Sequence, residues 1–367
     1  MRTLTVILLL GAISLLGAAT PAGPRLAWQL DVGGEFVGSP AVAGHDLVIA
    51  GKGGRLMKVS MEGKVLWQRE FSSPFFAPPV LDAGGTIYVA ALDGTVRRVS
   101  ATGEPLWEVR LDGEVRAAPL LDETALYCVT DQGRIFRIDR ARGALLGQGD
   151  LKVPVFSSPI WDGRQRHLLL LVKDFWLLSV DRQLQVIWRF RTAGVNFSVP
   201  AVTPAGAIYV TSMDHHLYKL AADGRLLWKF KTGAWIMASP VIDERGRVYF
   251  GSYDKCFYAV DAGGKPLWRF EGRASFSATA VIDAAGNVYC GDQSGTVFAL
   301  DGRGRLRWQY KAEDFITSGL TILPGKNLLL VGSIDGKLLA FHCDRPLSRR
   351  AWWAKYLGDL RNSGRDE

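Results

Sequence analysis

Ala238-Ser239-Pro240-Val241-Ile242-Asp243 leads through a glycine turn to Val248-Tyr249-Phe250, then Tyr253-Asp254-Lys255, then Cys256-Phe257-Tyr258-Ala259-Val260-Asp261, and ends on Gly263-Gly264-Lys265-Pro266-Leu267-Trp268. The stretch contains four short apolar or alternating runs rich in Val, Tyr, Phe and Trp, separated by Gly and Asp turn chemistry, which is the pattern of four strands. No run is long enough, or periodic at 3.6 residues, to form a helix. The unit is therefore a four-stranded antiparallel sheet.

The same sentence is repeated along the chain. Trp28, Trp67, Trp107, Trp188, Trp228, Trp268 and Trp308 lie 39, 40, 81, 40, 40 and 40 residues apart, with Leu146 expected at the skipped position. A period of about 40 residues built from four strands predicts an all-β propeller. The inner-strand signal fixes the blade number: Ser39-Pro40, Pro78-Pro79, Ala118-Pro119, Ser158-Pro159, Val199-Pro200, Ser239-Pro240, Ala278-Thr279 and Ser318-Gly319 are eight occurrences. The residues beside each are mostly Gly, Ala, Ser or Thr, as crowding at a common axis requires. Nine outer-strand candidates compete for eight places, so the strand around Trp28 is predicted to complete the blade begun by residues 315–342, closing the ring without a free sheet edge.

One eight-bladed ring over residues 26–345 uses nearly all of the 367 residues, so a single domain is expected. Ahead of it, Arg2, an apolar run from Leu4 to Leu16 and the small residues Gly17-Ala18-Ala19 have the layout of a signal peptide over residues 1–19. That predicts a periplasmic or secreted protein. No Cys lies near the cleavage region, so a lipoprotein anchor is not expected. The formal charge of +8 is modest for this size, and its basic clusters are interspersed with acids, which argues against nucleic-acid binding. Cys128, Cys256, Cys290 and Cys343 form no CxxC pair, and Cys128 and Cys290 fall at equivalent positions in blades three and seven, on opposite sides of the ring. Buried free thiols are the expectation.

Ala259-Val260-Asp261-Ala262-Gly263-Gly264-Lys265-Pro266-Leu267-Trp268 and Ala299-Leu300-Asp301-Gly302-Arg303-Gly304-Arg305-Leu306-Arg307-Trp308 resemble the tryptophan-docking motif of the pyrroloquinoline-quinone (PQQ) repeat family. The resemblance implies that the Trp of each outer strand packs between blades, and it runs from about Trp28 to Phe341. Where blades six to eight carry Ala259, Ala299 and Ala340, earlier blades carry Lys58, Arg98, Arg137, Ser179 and Lys219. Those long cationic chains either cover a Trp face or point to solvent. The tail over residues 346–367, with Trp352-Trp353 and Asn362-Ser363-Gly364, resembles the terminal motif of such propellers, Trp353 standing where Pro is usual. Its expected work is to pack on the propeller and seal an edge or a channel end.

An exported ring with little besides blades resembles the propeller subunit of the outer-membrane β-barrel assembly machinery (BamB-like). The resemblance implies a noncatalytic scaffold for protein–protein interaction in the cell envelope, its partners being β-barrel assembly components or extended peptide segments. The alternative is a PQQ-dependent dehydrogenase-like quinoprotein, which needs an Asp base, a Ca²⁺ held by several oxygens and commonly a vicinal Cys pair. No Cys-Cys pair and no long cap insertion are present, so no catalytic, cofactor or metal residue is assigned. His215-His216 lies in a turn of blade five without evident further ligands. One ring of positions carries a functional expectation: Val37, Phe76, Arg116, Phe156, Phe197, Met237, Phe276 and Ile316, three residues before each inner-strand proline or its equivalent. They either pack between blades or form a collar at the channel mouth that grips an extended peptide.

Overall fold

In the computed structural model, described for residues 23–364 apart from Val37, Gln165, Pro324, Asp344 and Leu360, the strands form eight four-stranded antiparallel sheets. The expected signal segment at residues 1–19 lies outside the described residues. Blade six is Val241–Ile242, Val248–Gly251, Cys256–Val260 and Pro266–Glu271, matching the quoted repeat. Strands near the axis are buried on both faces because a neighbouring blade covers each side. Outer strands alternate: only every second residue turns to the next blade.

The ring closes as the spacing predicts. Leu26–Asp31 is the outer strand of blade eight, paired to Lys337–His342 with Trp28 opposite Ala340 and Leu30 opposite Leu338. No blade is left one strand short. The core accordingly runs around the ring between sheets; Tyr289 and Val297 of blade seven, for example, pack with Leu329 and Phe341 of blade eight.

Six of the seven docking Trp residues lie on the turn between the third and outer strands of the following blade; Trp308 faces blade eight, where the ring closes without such a turn, and packs on Phe341. Trp28 donates Nε1–H to the Met61 carbonyl at 2.8 Å, Trp107 to Arg140 at 3.1 Å and Trp268 to Gly302 at 3.2 Å. The ring face covers a glycine in that turn. A Cβ on Gly63 or Gly264 would stand 2.7–2.8 Å from the indole, and both residues have positive φ, so sterics and backbone each require Gly there. Trp308 is buried at 9 % exposure. The other six are half-buried, with one edge of the indole in solvent.

Three of the four cationic residues, Lys58, Arg98 and Lys219, span the same junction, whereas Arg137 meets Tyr127 of its own blade. Lys58 Nζ donates to the Ala101 carbonyl at 3.3 Å, Arg98 to Ala141 at 3.1 Å and Lys219 to Ala262 at 2.8 Å. Lys219 also sits 5.9 Å from the Trp228 ring. They bridge blades, as Trp does.

The skipped Trp position is Gly147 and not Leu146. Arg137 pairs with Gly147 as Arg98 pairs with Trp107, because the turn of blade three holds one extra residue between Asp139 and Ala144. Leu146 belongs to the outward row and is 48 % exposed. At this junction the partner residue changes too: Leu184, with φ of 66° and nearly buried, stands where Gly63 or Gly264 stands elsewhere. Trp161, fully buried, enters the same blade three–four interface, donating to the Leu121 carbonyl at 2.7 Å.

At the axis, small hydroxyl residues tie neighbouring inner strands. The Ser158 hydroxyl accepts from Ala118 N–H at 2.9 Å, the Ser239 hydroxyl accepts from Val199 N–H at 2.8 Å, and Ser39 and Thr321 hydroxyls meet at 2.9 Å across the closing seam. The tail crosses one end of this channel. Trp353 and Ile242 exchange backbone hydrogen bonds, and Leu81, Trp161 and Ile282 N–H groups donate to the Arg361, Gly364 and Ala354 carbonyls. Asn362 donates to both the Ser39 and Pro79 carbonyls and accepts from Lys355 at 2.5 Å. Tyr356 fits because blade eight has Gly319, where a Cβ would stand 2.9 Å from the tyrosine's own. The result is a plugged end.

Candidate functional site: the open end of the channel

The opposite end is built by two loop sets. In every blade, the segment entering the inner strand is bonded to the turn between the second and third strands, as in Tyr253 N–H to the Trp235 carbonyl at 2.8 Å and Lys173 N–H to Pro154 at 2.9 Å. This bond recurs around the ring, so the residues it fixes stand on a rigid rim.

The expected collar is only partly assembled on that rim. Phe76, Arg116, Phe156 and Met237 are half-exposed, and Phe197 is 44 % exposed. Val37 lies outside the described residues. Phe276 and Ile316 are fully buried and do not belong to the collar. Pairing of Val281 with Tyr289 matches that of Val241 with Tyr249, which makes Ala280, and not Thr279, the counterpart of Pro240. The same register applies in blade eight, where Thr321 pairs with Leu330. The collar positions in blades seven and eight are Ser277 and Thr317, both half-exposed. A one-residue slip sends the side chain to the other face, and Phe276 there packs on Phe257 and Phe298.

The rim has two unlike arcs. Over blades four to six and blade eight it is aromatic, with blade seven adding the polar Ser277 and Gln293: Phe156 and Phe197 stack at 6.2 Å between centroids, Trp235 leans on Tyr253 at 6.1 Å, and Phe315 is 49 % exposed. Over blades one to three it is charged. Lys52 pairs with Glu35 at 2.5 Å, and Arg116 pairs with Asp131 at 2.5 Å and Glu114 at 3.1 Å. Phe76 lies between the two cations, 4.8 Å from Lys52 and 4.6 Å from Arg116. Burial pushes the Asp131 carboxyl above its ordinary range despite Arg116, and its Oδ1 is buried without a hydrogen-bond partner among the described residues. Trp235 and Phe315 stand two residues before the collar positions Met237 and Thr317, and Tyr253 on the turn bonded to Trp235; they were missed because only the position three residues before each proline was followed, and their signal was large aromatics at the two positions that this recurring bond joins.

His216 does not join a metal site. Its Nδ1 lies 2.9 Å from the Asp214 carbonyl, and no group of three His, Cys, Asp or Glu suited to a metal occurs among the described residues.

The family model of the outer membrane protein assembly factor BamB matches residues 14–101, 83–167 and 173–345. Among solved structures, BamB from Moraxella catarrhalis superposes with a TM-score of 0.74 at 19 % identity, covering 87 % of this chain and all of that one. The computationally designed Ika8 protein superposes with a TM-score of 0.76 at 17 % identity, covering 88 % of this chain and all of the design. A search of curated protein sequences returned no match. At such identities the structural likeness speaks for the fold alone.

Proposed function

The chain belongs to the family of the outer membrane protein assembly factor BamB, and from that membership we propose that it is a noncatalytic scaffold of the cell envelope, serving outer-membrane protein assembly by binding protein at the open channel end. The observation that carries the proposal is the rim itself. Phe197, Trp235 and Phe315 each expose more than two fifths of their surface on loops held by repeated backbone bonds. Rigid exposed aromatics lose little entropy on binding and are the usual anchors of protein interfaces. The charged arc beside them supplies orientation more than affinity.

A quinone–calcium group is poorly matched to this channel. Its walls present the Ser39, Ser158, Ser239 and Thr321 hydroxyls already bonded to neighbouring strands, and Lys355 and Tyr356 fill the plugged end. Calcium requires several oxygen ligands drawn together, commonly carboxylates. Crosslinking capture from envelope preparations tests the scaffold reading. Native protein is expected to recover β-barrel assembly components, and a Phe197→Ala, Trp235→Ala double variant with unchanged circular dichroism to lose them. Retention by the variant would remove the rim from the interface. Dye-linked alcohol or sugar oxidation after incubation with PQQ and Ca²⁺ would replace the reading with a dehydrogenase.

A further inference from the structure

A groove of about 840 Å³ opens on the plugged side of the ring, between blades six and seven and the tail. Three separate segments bring arginines to it: Arg245 and Arg247 from the first turn of blade six, Arg303 and Arg305 from the last turn of blade seven, and Arg349 and Arg350 from the tail. The carboxylates lining the groove are mostly already engaged. Asp243 takes Arg247 Nε at 2.6 Å, and Asp301 takes Arg305 Nε at 2.7 Å. Asp283, buried, accepts from Asn287 Nδ2 at 2.7 Å, from the Tyr289 hydroxyl at 3.0 Å and from two backbone N–H groups. Among the described residues, the guanidinium groups of Arg245, Arg303, Arg349 and Arg350 have no ion pair or hydrogen bond, and only the charges of Glu244 and Asp283, neither paired with a cation, are left to oppose them.

Six arginines against four carboxylates around one concavity leave an excess of two positive charges, which an entering anion would relieve. The floor leaves room for it. Gly286 and Gly302 place nothing in the groove, and the Arg247 guanidinium, held from behind by Asp243, lies between them, 3.8 and 3.9 Å from where their Cβ atoms would be. Planar guanidinium forks match the tetrahedral oxygens of a phosphoryl group, and several forks suit a ligand carrying about two negative charges.

We propose that this groove binds a phosphate-bearing anion, with Arg245, Arg303, Arg349 and Arg350 as the ligand-contacting side chains. The site is at the opposite end of the channel from the rim and does not depend on the scaffold reading. Pyrophosphate and vesicles of phosphatidylglycerol or phosphatidylcholine are the probes, at fixed ionic strength. Calorimetry is expected to show pyrophosphate or phosphatidylglycerol binding that weakens at least tenfold in an Arg303→Glu, Arg350→Glu variant. An Arg225→Glu, Lys229→Glu variant carries the same change of charge on blade five, outside the groove, and is expected to bind normally. Groove-dependent binding of phosphatidylglycerol vesicles alone assigns the phosphate to a lipid headgroup, and groove-dependent binding of pyrophosphate alone assigns it to a soluble ligand. Equal weakening in both variants, or binding of neither probe beyond matched chloride, overturns the proposal. Thermal melts establish that each variant is folded.

Discussion

Gly147 and Leu184 are exchanged relative to the Trp–Gly pairs of the other junctions, and the two changes compensate. Leu184 holds a left-handed backbone at a cost of about 1–2 kcal/mol, and its nearly buried side chain occupies space that an indole fills elsewhere. Removing that side chain costs more than the strain it relieves. Leu184→Gly is therefore expected to destabilise by about 1–3 kcal/mol, and Gly147→Trp added to it to recover much of the loss, since a Cβ at position 147 meets nothing within 4 Å. A double-mutant cycle in urea reads the coupling; strict additivity would mean that the two sites are independent. For the regular junctions, Trp308→Ala is expected to cost about 3–5 kcal/mol, and Trp228→Ala or Trp268→Ala about 2–3 because one indole edge is already wet. Equal midpoints for all three would show that burial does not set the difference.

In blades two, three, four, six and seven an Asp opens the first turn and carries several duties at once. Asp82 accepts from Gly84 and Thr86 N–H groups, both at 2.9 Å, and from Arg140 of the next blade at 2.7 Å. Burial works to raise its pKa, but Arg140 and the Thr86 N–H outweigh that effect and hold it below the ordinary aspartate value. A carboxylate whose folded pKa is depressed stabilises above its unfolded pKa, and that contribution is lost as pH falls through about 4 and below. Thermal melts between pH 5 and 3 should show a smaller loss for Asp82→Asn than for the native chain, starting from a lower stability at pH 7; parallel curves would contradict the assignment. The tail depends on Asn362 in a comparable way, since its amide satisfies carbonyls of blades one and two while accepting from buried Lys355. Asn362→Ala removes the donor to both carbonyls and leaves Lys355 with its bond to the Asp359 carbonyl, and a loss of about 2–4 kcal/mol is expected in denaturant titrations. Element positions were legible in the sequence wherever the turns kept their length: the Trp28 strand was placed in blade eight by counting alone. The extra residue of the blade three turn moved the true docking position from 146 to 147, and absence of proline at 280 and 320 hid the register of the last two blades. Both errors follow from reading markers instead of hydrogen-bonded pairs, which sequence does not display.

Over the whole ring, identical sheets stacked side by side leave little solvent access to their second strands. Cys128 and Cys290 lie on those strands fully buried, and burial pushes both thiols far above their ordinary range. Neither should react with an aromatic disulfide reagent at pH 8 until the protein unfolds, so the reaction rate in graded urea should follow global unfolding. Fast labelling in buffer would mean that blades three and seven open locally. Their independence was visible in the sequence, because a ring of eight puts equivalent positions four blades apart on opposite sides. The division of the rim into a charged and an aromatic arc was not visible, since the rim positions repeat from blade to blade while the side chains on them do not, and one of its two loop sets is unmarked by proline.

The pairing of Trp28 with Ala340 also sets a clock for biosynthesis. The Leu26–Asp31 strand has no hydrogen-bonding partner until the last blade is complete, about three hundred residues later, so even once Trp28 can settle on blade one the nascent chain carries that strand's edge unpaired. During that interval the third strand of blade eight in a neighbouring molecule offers the same hydrogen-bonding edge. At high local concentration the seam is where two chains would exchange their first strands, giving a closed dimer in which every blade is complete and every native pairing is kept.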